Sequence, residues 1–237
     1  MFYYYGYDWT YIVLVMPFIL LSLLASVSVK RTFNKYSKEK SMRGITGAQA
    51  AERVLRAGGV TNVRIEQIAG DLTDHYDPRA NVIRLSTDVY GSTSVAAIGV
   101  ACHEAGHALQ YANDYAPIKL RAAIIPLTNI GSKLAMPLIL IGLLLEVFVG
   151  VSDLFVILGV ACFSLSVIFQ LVTLPVEFNA SSRAIAAISQ GNILTDDELK
   201  GAKSTLRAAA MTYVAATAVA LMQLLRLILL FSRRRRD

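Results

Sequence analysis

The chain has 237 residues, of which 55% are hydrophobic and 17% charged, and its mean hydropathy is +0.51. Values this apolar exclude an ordinary soluble domain and favour insertion into a membrane. The net charge of +6 does not indicate nucleic-acid binding, since no polar segment interleaves basic with aromatic residues. Two cysteines, Cys102 and Cys162, both lie in apolar stretches and exclude a disulfide framework.

The first apolar run, from Trp9 to Val29, is long enough to cross about 30 Å of hydrocarbon. An interfacial aromatic belt precedes it and a basic segment follows it. The belt comprises Tyr3, Tyr4, Tyr5, Tyr7, Trp9 and Tyr11, and the basic segment Lys30, Arg31, Lys35, Lys38, Lys40 and Arg43. Because Lys and Arg mark the cytoplasmic side, we predict that this helix runs from outside to inside. The opening MFYYYGYDWT lacks the basic start and cleavage site of a signal peptide, so we expect the run to be retained.

Residues 44–120 form the main polar segment. TGAQAAERVLRAGG predicts a helix that opens with a capping box, Thr46 with Gln49, and stops at Gly58 and Gly59. NVRIEQI alternates like a half-buried strand, and GDLTDHY and NVIRLS flank a DPRA turn, which together predict a short antiparallel β-meander. NVIRLS is either a purely structural strand or an edge strand able to pair with an extended peptide. A helix capped by Ser92 or Ser94 then runs to about Tyr111.

Three further apolar stretches follow. Residues 122–149 contain Pro126, Lys133 and Pro137, so we expect a kinked or interfacial first half and a span over 134–150. After a GVSD turn, residues 154–174 form the next span. The last stretch, 208–231, contains Gln223 and Arg226 and ends in RRRR; as a span it would leave Arg233–Arg236 outside, so we expect it to lie along the cytoplasmic interface.

The fold class predicted is α+β, a small metalloprotease-like domain combined with three to four membrane helices. The predicted divisions are an anchor (1–29), a cytoplasmic domain (30–120), a transmembrane hairpin (121–174), a helical segment (175–207) and an apolar helix with a basic tail (208–237).

VACHEAGHALQ places His103 and His107 one turn apart on one helix face, where both imidazoles can bind one metal ion. Zinc suits two nitrogens and a carboxylate, with a fourth position for water. Glu104, on the flank of that face, is placed to act as the general base. Gly106 costs the helix about 1 kcal/mol relative to Ala, which we interpret as making room at the metal.

The third ligand must come from elsewhere. A metzincin would need Gly and His where the chain has Gln110 and Asn113, so that class is excluded. Among the glutamates that follow the motif in the chain, Glu198 fits a capping box opened by Thr195, and Glu146 lies near the outer end of a span. Glu177, in LPVEFNASSRA, emerges beside the third span and is the predicted ligand; the alternative is a simple interfacial charge.

VACHEAGHALQ, LPVEFNASSRA and DHYDPRANVIRLS resemble the YugP-type membrane zinc metallopeptidases over nearly the whole chain, and more distantly the HtpX-type and CAAX prenyl proteases. The resemblance implies a gluzincin site that holds one zinc ion per chain through His103, His107 and Glu177, with Glu104 as base. The distant relatives carry Asp where this chain has Ser181. Asn179, Ser181 or Asp88 is therefore the candidate partner of a ligand histidine.

Other candidates are His75 and Tyr76, as contacts to a transition-state oxyanion, and Arg183, as a contact to substrate. The function predicted is a multi-pass cell-membrane zinc endopeptidase, its catalytic domain on the cytoplasmic side, acting on membrane-associated protein or peptide substrates. Its other partner is the bilayer; no nucleic acid is expected, and oligomeric state is open. The alternatives are a site-2-type intramembrane protease and a non-catalytic zinc-binding scaffold.

Overall fold

The computed structural model describes residues 9–149 and 153–234. A π-helical turn, Tyr11–Val15, leads into α1. The elements, in chain order, are α1 (Met16–Tyr36), α2 (Gly47–Ala57), β1 (Arg64–Ile68), β2 (His75–Asp77), β3 (Val82–Ser86), α3 (Thr87–Tyr90), α4 (Val95–Ala112), α5 (Ala116–Val149), α6 (Asp153–Gln190) and α7 (Asp196–Arg234). Tyr3 to Tyr7, most of the predicted GVSD turn and the last three residues lie outside the described residues.

The chain divides into two compact units. One, the helical unit, comprises Met1–Leu24, Leu120–Thr173 and Tyr213–Asp237. The other, the α+β unit, comprises Ala25–Lys119 and Leu174–Thr212. The division bears on function because all the candidate ligands lie in the α+β unit.

Among the described residues, four helices are long and apolar enough to cross a membrane: Tyr11–Tyr36, Ala116–Leu145, Leu154–Gln190 and Asp196–Ser232. In the helical unit many large apolar side chains face outward, among them Leu20, Leu144 and Leu154. This surface suits contact with lipid rather than water. Within the unit, α5 and α6 approach closely: a Cβ on Gly159 would lie 2.9 Å from the carbonyl oxygen of Ala135. Small residues at such contacts are typical of membrane helices.

The membrane helices differ from the prediction in their continuity. Pro126 and Pro137 lie inside α5, which runs unbroken from Ala116 to Val149. Pro175 likewise lies inside α6 and does not separate a third span from a polar helix. In apolar surroundings, a helix that ended at each proline would leave several backbone N–H and C=O groups without hydrogen bonds. A helix that continues through the proline leaves few such groups unpaired.

Local sequence signals define the helices of the α+β unit. The predicted capping box of α2 is confirmed: Thr46 Oγ1 accepts from Gln49 N, and Gln49 Oε1 accepts from Thr46 N. Ser94 caps α4 by accepting from Ala97 N. Behind these caps α2 packs on α4, and their apolar faces meet fully buried residues of β3 and α6 such as Ile83 and Ile188. The resulting core holds α4 in place.

The antiparallel meander is wrong, although the α+β class is confirmed. The sheet order is β1-β3-β2; β2 pairs with β3 antiparallel, as predicted, but β1 pairs with β3 in parallel. The reason is burial: Val82, Ile83 and Leu85 of β3 are fully buried, and the most apolar strand takes the centre, where both its edges are paired. NVIRLS is therefore no edge strand, and its backbone is not open to a peptide.

Candidate metal centre

Helix α4 carries the two histidines of the motif in its last three turns. It is built from small and apolar residues and is buried along most of its length. His103 and His107 lie one turn apart, with ring centroids 4.7 Å apart and planes at 82°. The exposed surface of His107 is 8%, and that of Glu104 is also 8%. The motif is thus a buried site rather than a surface pair.

Glu177, on α6, lies opposite both histidines. Its Oε2 is 3.3 Å from His103 Nε2 and 3.6 Å from His107 Nε2. Possible ligand atoms of these three residues all lie within 4.8 Å of one another. Glu177 is 3% exposed, so the carboxylate is held inside the protein and not at a lipid or water interface.

The other ring nitrogens of the histidines have partners of their own. His103 Nδ1 lies 3.1 Å from Ser181 Oγ, and His107 Nδ1 lies 3.0 Å from Gln110 Oε1. An amide oxygen only accepts, so His107 Nδ1 carries the hydrogen, and the neutral ring then presents its Nε2 lone pair towards Glu177. Ser181 Oγ is placed to serve His103 in the same way, because a hydroxyl accepts from Nδ1–H when Nε2 binds a metal. Such contacts orient ligand histidines in metal sites.

Gln110 is fully buried and connects α4 to α6. Its Nε2 donates to the carbonyl oxygen of Val176 at 2.8 Å and to Asn179 Oδ1 at 3.0 Å. Arg183 Nε donates to the same Asn179 oxygen at 2.7 Å. Because both partners of the Gln110 amide nitrogen are acceptors, the orientation of the Gln110 side-chain amide is fixed. Its Oε1 is then left to accept from His107. Asn179 and Arg183 thus act on the histidine through Gln110.

Gly106 sets the distance between the two helices. A Cβ at this position would lie 2.6 Å from the carbonyl oxygen of Ala180, closer than real Cβ atoms approach. The backbone of α6 therefore fills the space beside Gly106, and the interpretation that glycine leaves room at the metal is wrong. The close approach has a different consequence: it brings Glu177, one turn before Ala180, within reach of the histidines.

Glu104 adds negative charge beside the ligands. Burial alone lowers the pKa of His107, but the adjacent carboxylates of Glu177 and Glu104 outweigh burial and raise it. The site consequently attracts a positive charge, as a proton or as a metal cation.

Asp74, which precedes β2, is a residue that sequence reasoning missed. Its carboxylate accepts from Ser86 N at 2.8 Å and from Ser86 Oγ at 3.0 Å. Burial raises the pKa of Asp74 despite these hydrogen bonds, and the charge of Glu104 raises it further. Asp74 thus fixes the end of β3 close enough to Glu104 for the charge of Glu104 to act on it.

Other sequence candidates have different surroundings. His75 is exposed and its Nδ1 donates to the carbonyl of Thr73 at 2.8 Å. Tyr76 donates its hydroxyl hydrogen to Asn81 Oδ1 at 2.7 Å. Glu198 closes the predicted capping box by accepting from Thr195 N and also accepts from Met42 N. Asp88 is exposed in α3. Among the described residues, the group of potential metal ligands contains only His103, His107 and Glu177.

Gln110 was also missed. Its signal was the spacing His-x-x-Gln, which puts an amide one turn after the second ligand; that spacing was used only to exclude a metzincin.

The donor set fits zinc. Bonds of about 2.0–2.2 Å in a tetrahedral arrangement place neighbouring ligand atoms about 3.4 Å apart, close to the 3.3 and 3.6 Å separations of Glu177 from the two histidines. Three protein ligands leave a fourth position, as in catalytic rather than structural zinc sites.

Fold and site together define a membrane protein with a candidate zinc centre. The chain belongs to the family described as "Putative neutral zinc metallopeptidase", whose model matches residues 11–232. Over 221 residues it is 46% identical to a protein of Bacillus subtilis (strain 168) named "Putative membrane protease YugP", a match that covers 93% of this chain and 96% of that protein. No solved structure matches the chain significantly. The resemblance to the YugP-type family is thereby confirmed.

Proposed function

We propose that this membrane protein is a zinc-dependent endopeptidase with a gluzincin-type site, in which His103, His107 and Glu177 hold one zinc ion. The observation that carries the proposal is the convergence of two histidine Nε2 atoms on one buried carboxylate, with a second acid, Glu104, next to the first ligand. Family membership and the membrane-protease relative support it.

Zinc in such a site lowers the pKa of a coordinated water to about 7 and polarises a carbonyl group. The chain's own groups do the rest. Glu104 accepts a proton from the attacking water and donates it to the leaving amine, a role that typically contributes a factor of about 10²–10⁴. Ser181 and Gln110 keep both imidazoles in the tautomer whose Nε2 faces the metal.

The proposed location is the cell membrane, with the α+β unit on the cytoplasmic side. The support is the basic segment after the first span, Lys30 to Arg43, together with Lys119, Arg121, Arg183, Lys200, Lys203 and Arg207. A cysteine introduced at Lys38 should then react with a membrane-impermeant maleimide only after the cells are opened; labelling in intact cells would reverse the orientation. Membrane-associated proteins are the proposed substrates.

Zinc content and casein cleavage, measured together on the purified full chain, test the assignment. His107→Ala and Glu177→Ala are expected to lose zinc and activity, whereas Glu104→Gln keeps zinc and loses activity. His75→Ala and Glu52→Gln change the same residue types at exposed positions and serve as matched controls for zinc content.

Three results would contradict the proposal. If Glu177→Ala retains full zinc and full activity, the third ligand is elsewhere. If Glu104→Gln cleaves at the wild-type rate, no base acts at that position. If the wild type binds zinc but cleaves neither casein nor membrane-span substrates, the non-catalytic scaffold is favoured instead.

A further inference from the structure

A groove of about 440 Å³ opens between α6 and α7, entirely within the α+β unit. Its walls are one stripe of each helix, at the i, i+3, i+4, i+7 spacing that places residues on a common face. α6 contributes Phe178, Ser181 and Ile185, and α7 contributes Lys203, Arg207 and Met211. The proposed catalysis uses none of the three α7 residues.

One end of the groove is apolar and exposed. Phe178 is 48% exposed and Met211 is 47% exposed. On α6, Phe178 lies four residues after the apolar stretch 154–174; on α7, Met211 lies near the start of the apolar stretch 208–231. This end of the groove therefore lies where each helix passes between its apolar and its polar segment, which is where a membrane interface is expected.

The other end is cationic. Lys203 and Arg207 are one turn apart on α7 and both exposed. Among the described residues neither cation pairs with a carboxylate, in contrast to Lys200 on the same helix, whose Nζ lies 2.8 Å from Asp197 Oδ1. None of the described residues that line the groove is acidic. An anionic group is the complement of this end.

We propose that the groove binds an anionic phospholipid, with the headgroup phosphate at Lys203 and Arg207 and an acyl chain against Phe178 and Met211. Two unpaired cations at the interface attract an anionic headgroup, and their aliphatic stems pack on apolar surface while the charges reach the phosphate. Ser181, which is hydrogen-bonded to His103 Nδ1, also lines the groove, so a bound lipid contacts the helix that supports the candidate ligands.

Lipid binding to the full chain in detergent tests the proposal by native mass spectrometry, with phosphatidylglycerol and phosphatidylcholine as probes. The wild type should bind the first phosphatidylglycerol more tightly than phosphatidylcholine. The double variant Lys203→Gln with Arg207→Gln should weaken the binding of phosphatidylglycerol about thirtyfold, since each cation contributes about fivefold. It should leave the binding of phosphatidylcholine unchanged. Lys38→Gln with Lys200→Gln removes two exposed cations outside the groove and should change neither affinity.

Other lipid sites along the membrane helices affect all variants equally, so the difference between the two double variants is the readout. Equal phosphatidylglycerol affinity in both would overturn the proposal. So would displacement of the lipid by millimolar inorganic phosphate alone, which would indicate a phosphate site without a lipid. A groove variant that binds lipid normally but loses preference for acidic peptides would assign the groove to substrate. The lipid measurement requires no proteolysis, so it stands apart from the proposed function.

Discussion

Replacing Gly106 with alanine separates two effects that act in opposite directions. Alanine favours helix by about 1 kcal/mol over glycine, so α4 alone would become more stable. The added Cβ, however, would lie 2.6 Å from the carbonyl oxygen of Ala180 and 3.2 Å from its carbonyl carbon. The colliding group is helix backbone, which cannot swing away as the end of a side chain would.

The size of the displacement follows from these distances. Ordinary contact begins near 3.4 Å, so α6 must withdraw by about 0.8 Å at Ala180. Glu177 lies one turn away on the same helix and moves with it, away from nitrogen atoms that are 3.3 and 3.6 Å distant. A misplacement of this order costs about 10²-fold in turnover, and we expect zinc to bind at least about tenfold more weakly as well.

The measurements are zinc affinity by chelator competition and casein cleavage. Gly99→Ala is the matched control, since it lies in the same helix and its Cβ would meet Ala202 Cβ at an ordinary 3.4 Å. It should keep zinc and activity while gaining helix stability. If Gly106→Ala binds zinc within twofold of wild type and cleaves casein at the same rate, the close approach of α6 does not set the ligand distance and this reasoning is refuted.

Three more outcomes are expected. Gln110→Leu removes the acceptor for His107 Nδ1 and should weaken zinc binding about 10–100-fold, measured by chelator competition. Gln110→Glu retains an acceptor and should lose less zinc affinity; equal losses of affinity would contradict the tautomer argument. The pKa of Asp74 is raised above 3.8, so ionisation of this carboxyl destabilises the fold as the pH rises from 3.8 through the raised pKa. Asp74→Asn should therefore remove this contribution to the pH dependence of the unfolding temperature. An unchanged profile of unfolding temperature against pH would contradict the argument. Chelation should lower the unfolding temperature of the wild type and zinc should restore it, because the metal binds only the folded site; His107→Ala should respond to neither.

Local signals in the sequence were sufficient for α2 and α4 of the α+β unit. Thr46 with Gln49 and Ser94 cap α2 and α4 through bonds to nearby backbone, which depend on few distant contacts. Strand order was not accessible in the same way. The parallel pairing of β1 with β3 depends on which strand the helices bury. The apolar residues around Ile83 in β3 and around Ile65 in β1 follow similar sequence patterns, so the pattern alone does not identify the buried strand.

The site shows the same division. His103 and His107 are adjacent by helix geometry alone. Glu177 could be predicted because Glu198 has a capping role and Glu146 lies near the far end of a span. The contacts of Ser181 and Gln110 depend on how α4 and α6 are rotated against each other, which no local pattern encodes. The role of Gly106 is the clearest case: the sequence shows the missing side chain but not the backbone that takes its place.

The bond from Gln110 to the backbone of α6 has a consequence for the order in which the protein matures. The histidines are synthesised early, whereas Glu177 and Val176 follow only after the long apolar stretch between them. A ribosome-bound chain would thus display the two imidazoles without their carboxylate and without the Val176 carbonyl that orients Gln110 towards His107. Peptide hydrolysis would begin only once the later helix has been made and docked, so the unfinished enzyme carries its own delay before it is able to cut neighbouring proteins.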